Sequence, residues 1–230
     1  MSPQFDVTLY EVSTWVIPLV LAITLHEAAH GYVARAFGDD TAWRLGRVSF
    51  NPLRHVDPFG TILLPALLLL FRAPFLFGYA KPVPVNFGRL RNPRRDMIWV
   101  AAAGPGMNLV LATAAALLVH AVAYLPAGAG QWALANLVNA IEINVILAVF
   151  NMIPLPPLDG GRVAVGLLPN ALAAPLAALE PYGMLIVIAV FFLLPTFEAQ
   201  LGVRLDLFAQ AVIRPADAII GVILRLTGLG

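Results

Sequence analysis

Cysteine is absent from the 230 residues. A chain without it forms no disulfide, no thiolate metal site and no cysteine nucleophile, so any bound metal must rest on His, Asp or Glu. Charge is scarce as well: 12% of the residues are Asp, Glu, Lys or Arg, about half the share of an ordinary soluble domain. The net charge of +1 supplies no electrostatic case for nucleic acid as a partner. Nor does the opening stretch MSPQFDVTLYE carry a basic n-region, so the first apolar run is expected to remain in the mature chain as its own insertion signal.

What the sequence has in excess is hydrophobicity, at 60% of residues and a mean hydropathy of +0.84. Such a composition predicts an all-α integral membrane protein, a single domain over residues 1–230. Residues 13–37, 97–124 and 132–153 each approach the roughly 20 residues that a bilayer requires, and 183–197 is a shorter fourth candidate. Residues 205–229 are apolar but interrupted by Arg214, Pro215 and Asp217, which suits either a further span or an interfacial segment. A bundle of four to six transmembrane helices is expected, with the core at about 13–170 and carboxyl-terminal helices at about 180–230.

The run FGTILLPALLLLF, residues 59–71, is too short to span and contains Pro65. Arg35, Arg44, Arg47 and Arg54 precede it, while Lys81, Arg89, Arg91, Arg94 and Arg95 follow it. If it crossed the membrane, two basic loops would face opposite sides; as a re-entrant segment it leaves both in the cytoplasm. The multi-pass protein is thus expected in the cell membrane with an outside amino terminus. In YAKPVPVNF, residues 79–87, strand-like alternation is broken by Pro82 and Pro84. Both prolines blunt one edge, which predicts a short membrane-associated strand or hairpin that pairs through Lys81, Val83 and Val85.

Ionisable residues inside a span are costly unless paired or bound, yet the first span carries HEAAH, with His26, Glu27 and His30. In H-E-x-x-H the two histidines share a helix face and can bind one Zn²⁺, with the glutamate beside them. Catalytic zinc takes a third protein ligand, and Asp57, Glu142, Asp159, His55 and His120 are candidates. Asp159 has the most suggestive setting, NMIPLPPLDGG, where prolines free the backbone from helical pairing and so imply a cavity at membrane depth. On spacing alone it serves equally well as a helix cap.

HEAAH in the first helix, AAGPGMN opening the second and NMIPLPPLDGG closing the third together resemble the site-2 proteases, a family of intramembrane zinc metalloproteases. NPLRHVDPFGTILLP and GYAKPVPV are similar to its short bacterial and archaeal branch, which lacks PDZ and CBS domains. The resemblance implies that His26, His30 and Asp159 bind one zinc, that Glu27 is the catalytic acid and base, and that Asn151 helps position substrate or stabilise the reacting carbonyl. It implies helix packing for Gly104 and for Asn108, which also lies in the shell behind the ligands. His55 and Asp57 are candidates for the same shell or for capping; His120 suits an interfacial position, and Glu142 and Asn144 suit bundle hydrogen bonding. Val83 and Val85 are expected to offer β-pairing to an unwound substrate.

The expected activity is hydrolysis of a peptide bond in or near a transmembrane segment, with the active site towards the cytoplasm and with a membrane-protein substrate and the lipid bilayer as partners. A zinc transporter or a non-proteolytic binding module is the alternative, although a glutamate within H-E-x-x-H serves hydrolysis more naturally than transport. Nothing in the sequence assigns an oligomeric state.

Overall fold

In the computed structural model, which describes residues 9–71, 78–195 and 206–230, every regular element is helical. Three helices are long and apolar enough to cross a bilayer: α1 (Leu9–Ala36), α4 (Pro93–Val119, continued as a tight turn to Tyr124) and α5 (Ala127–Asn151). They match the first three expected spans and make this a multi-pass membrane protein. Between α1 and α4 lie the short α2 (Thr41–Arg44) and a helical arm, Pro58–Leu63 leading into α3 (Leu64–Leu70). After α5 come α6 (Asp159–Leu167), α7 (Asn170–Ala177), α8 (Glu180–Ile188) and α9 (Arg214–Leu226).

The fourth expected span is only partly described, because residues 196–197 lie outside the described set. Its described part begins with α8, which bends by 66° from α7, so the two helices form a broken span or a re-entrant pair. Leu205 also lies outside that set, as do residues 1–8, Arg72 and Pro74. Although Arg214 and Asp217 interrupt its hydropathy, α9 docks on the bundle: Ala216 and Ile223 share a buried cluster with Ala112, Ala115 and Ala116 of α4 and Ile141 and Val145 of α5. Alanines predominate here because helices in lipid gain nothing from hiding apolar surface and associate through close packing instead.

The expected strand is corrected by the structure. Among the described residues there is no strand, and 78–86 has no regular secondary structure. The N–H groups left open by the proline spacing bind other partners: Lys81 donates to the carbonyl of His55 and Val83 to the carboxylate of Glu27. Arg47 Nη2 takes the carbonyls of Lys81 and Pro82. With these donors and acceptors spent on loops and side chains, the segment forms no ladder with another described element.

The arm that precedes it closes on itself. Tyr79 N–H donates to the carbonyl of Gly60, and Thr61 Oγ1 donates to the carbonyl of Tyr79, so the chain returns after 19 residues to the level from which it left. The arm's first leg, thirteen residues from Pro58 to Leu70, is about 20 Å long at helical rise, short of a hydrocarbon core of about 30 Å. Beyond it, Asp39 fastens the 78–86 segment to the end of α1 by accepting from Thr41 and from Asn86 N–H. Its burial opposes ionisation, but these hydrogen bonds prevail and hold the carboxyl below its ordinary range.

Candidate active site

Helical spacing places His26 and His30 one turn apart on the inner face of α1, both buried. Asp159 reaches them because α5 ends at Asn151 and the chain turns sharply through three prolines into α6. The Gly-Gly pair permits that turn: a Cβ on Gly160 would stand 2.2 Å from the Met152 carbonyl oxygen, and one on Gly161 2.2 Å from Pro156 N. Asp159 is the first residue of α6, the cap position falls to Leu158, and the carboxylate faces the histidines. At the far end of α6, Arg94 of α4 binds the carbonyls of Gly166 and Leu168 and the side chain of Asn170. The helix bearing Asp159 is therefore held at both ends.

Three donor atoms converge. His26 Nε2 and His30 Nε2 are 3.1 Å apart, and Asp159 Oδ2 is 3.2 Å from the first and 3.4 Å from the second. Tetrahedral ligands on zinc at bond lengths near 2.05 Å stand about 3.3 Å apart, so the triangle has the right size. Its chemistry points the same way. His30 Nδ1 lies 2.7 Å from the Val100 carbonyl, which can only accept, so Nδ1 carries the hydrogen. Asn108 donates through Nδ2 to Asn144 Oδ1 and to the Ala22 carbonyl, which leaves its Oδ1 to accept from His26 Nδ1 at 2.6 Å. With that hydrogen on Nδ1, the neutral form of each ring turns its Nε2 lone pair towards the other ring and towards a carboxylate. Three buried acceptors facing one another are what a cation satisfies.

Residues 14–126 match peptidase family M50. Over 208 residues the chain is 38% identical to a protein of Bacillus subtilis strain 168 named "Putative zinc metalloprotease YwhC", covering 89% of this chain and 91% of that one. The chain belongs to peptidase family M50. Proteins with the same style of name include Rip2 of Mycolicibacterium smegmatis, 31% identical over 74% of this chain and 62% of its own length. MJ0611 of Methanocaldococcus jannaschii is 29% identical over 70% of this chain and 73% of its own. No solved structure matches the chain. Membership in M50, the site-2 proteases, agrees with the resemblance carried by the three motifs.

Around the donor triangle of this M50 member is a cleft of about 400 Å³, walled by residues of α1, α4, α5, α6, α8 and the 78–86 segment. Glu27 lines it, and Glu27 Oε2 accepts from Val83 N–H at 2.7 Å. Asn151, Val83 and Val85 also line it, and Asn151 Nδ2 is tied to the Leu147 carbonyl. His55 and Asp57 stand outside the described wall. His55 is buried with Nε2 near the Ser49 carbonyl, while Asp57 caps the arm by accepting from Phe59 and Gly60 N–H. His120 binds the Thr227 carbonyl beyond α9, and Glu142 lies exposed on α5.

Two contributors had no place in the sequence reading, the Val100 carbonyl and Arg162, and two that it named for packing and bundle hydrogen bonding, Gly104 and Asn144, stand directly behind the site. Gly104, read there as packing, is pressed against both imidazoles, so that a Cβ would lie 2.4 Å from His30 Nε2 and 2.5 Å from His26 Nε2. Asn144 is the second link behind His26, and as an amide in an apolar helix it carried a signal. The Val100 carbonyl is a main-chain group with no sequence signature. Arg162, three residues after Asp159, also lines the cleft.

Proposed function

We propose that the cleft hydrolyses a peptide bond of a transmembrane substrate near the cytoplasmic face, with His26, His30 and Asp159 holding one zinc and Glu27 as base and acid. The protein is an intramembrane zinc metalloprotease. The residue roles rest above all on the triangle of buried donors beside Glu27. Bound zinc supplies Lewis acidity, which readies water and a carbonyl for reaction at neutral pH. Glu27 takes the proton of the attacking water and delivers it to the departing amine nitrogen, so that water adds across the C–N bond. The Val83 N–H fixes one oxygen of that carboxylate and leaves the other to carry the proton. Asn108 and the Val100 carbonyl orient the two rings, while Asn151, Val83 and Val85 meet the substrate chain.

A transmembrane helix hides its peptide groups in its own hydrogen bonds, so the scissile region must unwind to enter the cleft. Residues of the 78–85 segment, which has no helix of its own, form one wall and suit an unwound occupant. His30 and His26 lie six and ten residues before the end of α1, about 9 and 15 Å along the helix. Just beyond that end Arg44 and Arg89 pair with Asp40, and Arg91 donates to the Ala36 carbonyl; this charge bias supports a cytoplasmic position for it. The described leg 58–70 is short enough to remain within the same leaflet.

The test is cleavage of a model transmembrane peptide in detergent by wild type and Glu27→Gln, with zinc measured in both. Loss of a general base costs about 10²- to 10⁴-fold; the variant is expected to fall by that much and keep its zinc. Equal cleavage by both proteins refutes the role of Glu27, and a wild type that takes up no zinc refutes the ligand set.

A further inference from the structure

Five residues that carry or can carry charge near neutral pH line the cleft among the described residues, beside the phenol of Tyr79: His26, Glu27, His30, Asp159 and Arg162. The first four make up the proposed reaction centre. Arg162 is, among the described residues, the sole Arg or Lys in the wall, and the mechanism does not use it. Its guanidinium lies 5.2 Å from the centre of the Phe87 ring, itself a wall residue, and Nη2 donates to Glu180 Oε1 at 3.0 Å. Its Nε is buried and has no acceptor. A buried N–H without a partner is costly and rare in a settled structure, and the residue that carries it lines the cleft.

We infer that Arg162 binds a carboxylate of the substrate and so selects transmembrane segments with an acidic residue close to the scissile bond. This rests on the protease reading of the cleft. Asp159 and Arg162 stand at i and i+3 on α6, with Cβ atoms about 5–6 Å apart. An extended chain advances about 3.3 Å per residue, so the recognised residue lies within two or three positions of the bond that is cut. Arginine suits the task, since its planar fork can give a carboxylate two hydrogen bonds while staying charged. The Glu180 pair does not preclude it: the two side chains are 33% and 49% exposed, and ion pairs at such exposure hold weakly. A substrate carboxylate entering the cleft takes up the guanidinium by displacing or sharing Glu180. An acidic side chain in a transmembrane segment is in turn poorly placed in lipid, which favours its transfer to Arg162.

The test measures binding, so it does not depend on turnover. In the Glu27→Gln background, the affinity of a fluorescent transmembrane peptide is measured in detergent with a single Asp placed in turn at each central position, and with Asn in its place. At one or two adjacent positions Asp is expected to bind about tenfold or more tightly than Asn. Adding Arg162→Gln should bring that ratio to about one, whereas adding Glu180→Gln should increase it. The inference is overturned if no position prefers Asp, if the preference survives Arg162→Gln, or if Arg162→Gln weakens Asp and Asn peptides equally, as a purely structural role would. Failure of wild type to cut any peptide bears on the protease reading alone, because the binding ratio is read separately.

Discussion

Replacing Gly104 with alanine should empty the metal site while leaving the helix that carries it intact. A Cβ at this position would stand 2.4 Å from His30 Nε2, 2.5 Å from His26 Nε2 and 2.6 Å from His26 Cε1. Ordinary contacts of a methyl group begin near 3.4 Å, so relief requires a displacement of about 1 Å by α4 or by both rings. Neither can yield readily. The rings are tied through Nδ1 to Asn108 and to the Val100 carbonyl, both on the same helix as Gly104. Zinc sites tolerate distance errors of only about 0.2 Å, so a shift of that size removes at least one ligand. We expect zinc affinity to fall by about 100-fold or more, beyond the 10- to 100-fold typical of losing an outer-shell partner, together with cleavage.

The informative assay is zinc stoichiometry and affinity by chelator competition, paired with thermal unfolding in detergent. Overpacking costs about 1–3 kcal/mol, offset by up to about 1 kcal/mol that alanine gains over glycine in a helix. The folded state should therefore survive. Gly106, two residues on in α4, has open space around its position, so Gly106→Ala controls for helix propensity and should bind zinc normally. A Gly104→Ala protein with one zinc at wild-type affinity and full cleavage refutes the reasoning.

Two further outcomes follow from the hydrogen bonds behind the site. Asn108→Leu removes the acceptor that holds His26 and should weaken zinc about 10- to 100-fold, while Asn108→Asp, which keeps an acceptor, should recover most of the loss; equal affinity in all three proteins counts against the tautomer argument. Val83→Pro deletes the N–H that binds Glu27 and should lower kcat about tenfold or more with zinc unchanged, whereas Val83→Ala, which retains the N–H, should stay within a few-fold of wild type. Val83→Pro activity equal to that of Val83→Ala removes the main-chain bond from the mechanism.

Much of this architecture was legible because lipid imposes a simple rule: spans must be about 20 apolar residues long and helical, and 13–37, 97–124 and 132–153 obey it. The strand over 79–87 was misjudged for an equally physical reason. Proline spacing tells which N–H groups remain, but not what accepts them, and here the acceptors are the His55 carbonyl and Glu27, 26 and 56 residues away in sequence. Hydropathy likewise did not place α9, whose docking depends on alanines from two other helices meeting Ala216 and Ile223.

By itself the sequence determined the class of molecule and the pairing of His26 with His30, because helical periodicity is local and places i and i+4 on one face whatever surrounds them. Only the tertiary structure decided that Asp159 joins them from 129 residues away, that Gly104 leaves room for the rings, and that Val100 and Asn108 choose which nitrogen faces the metal site. These are matters of distances below 4 Å between separate helices, which no local periodicity encodes and which close packing of α1, α4 and α6 sets.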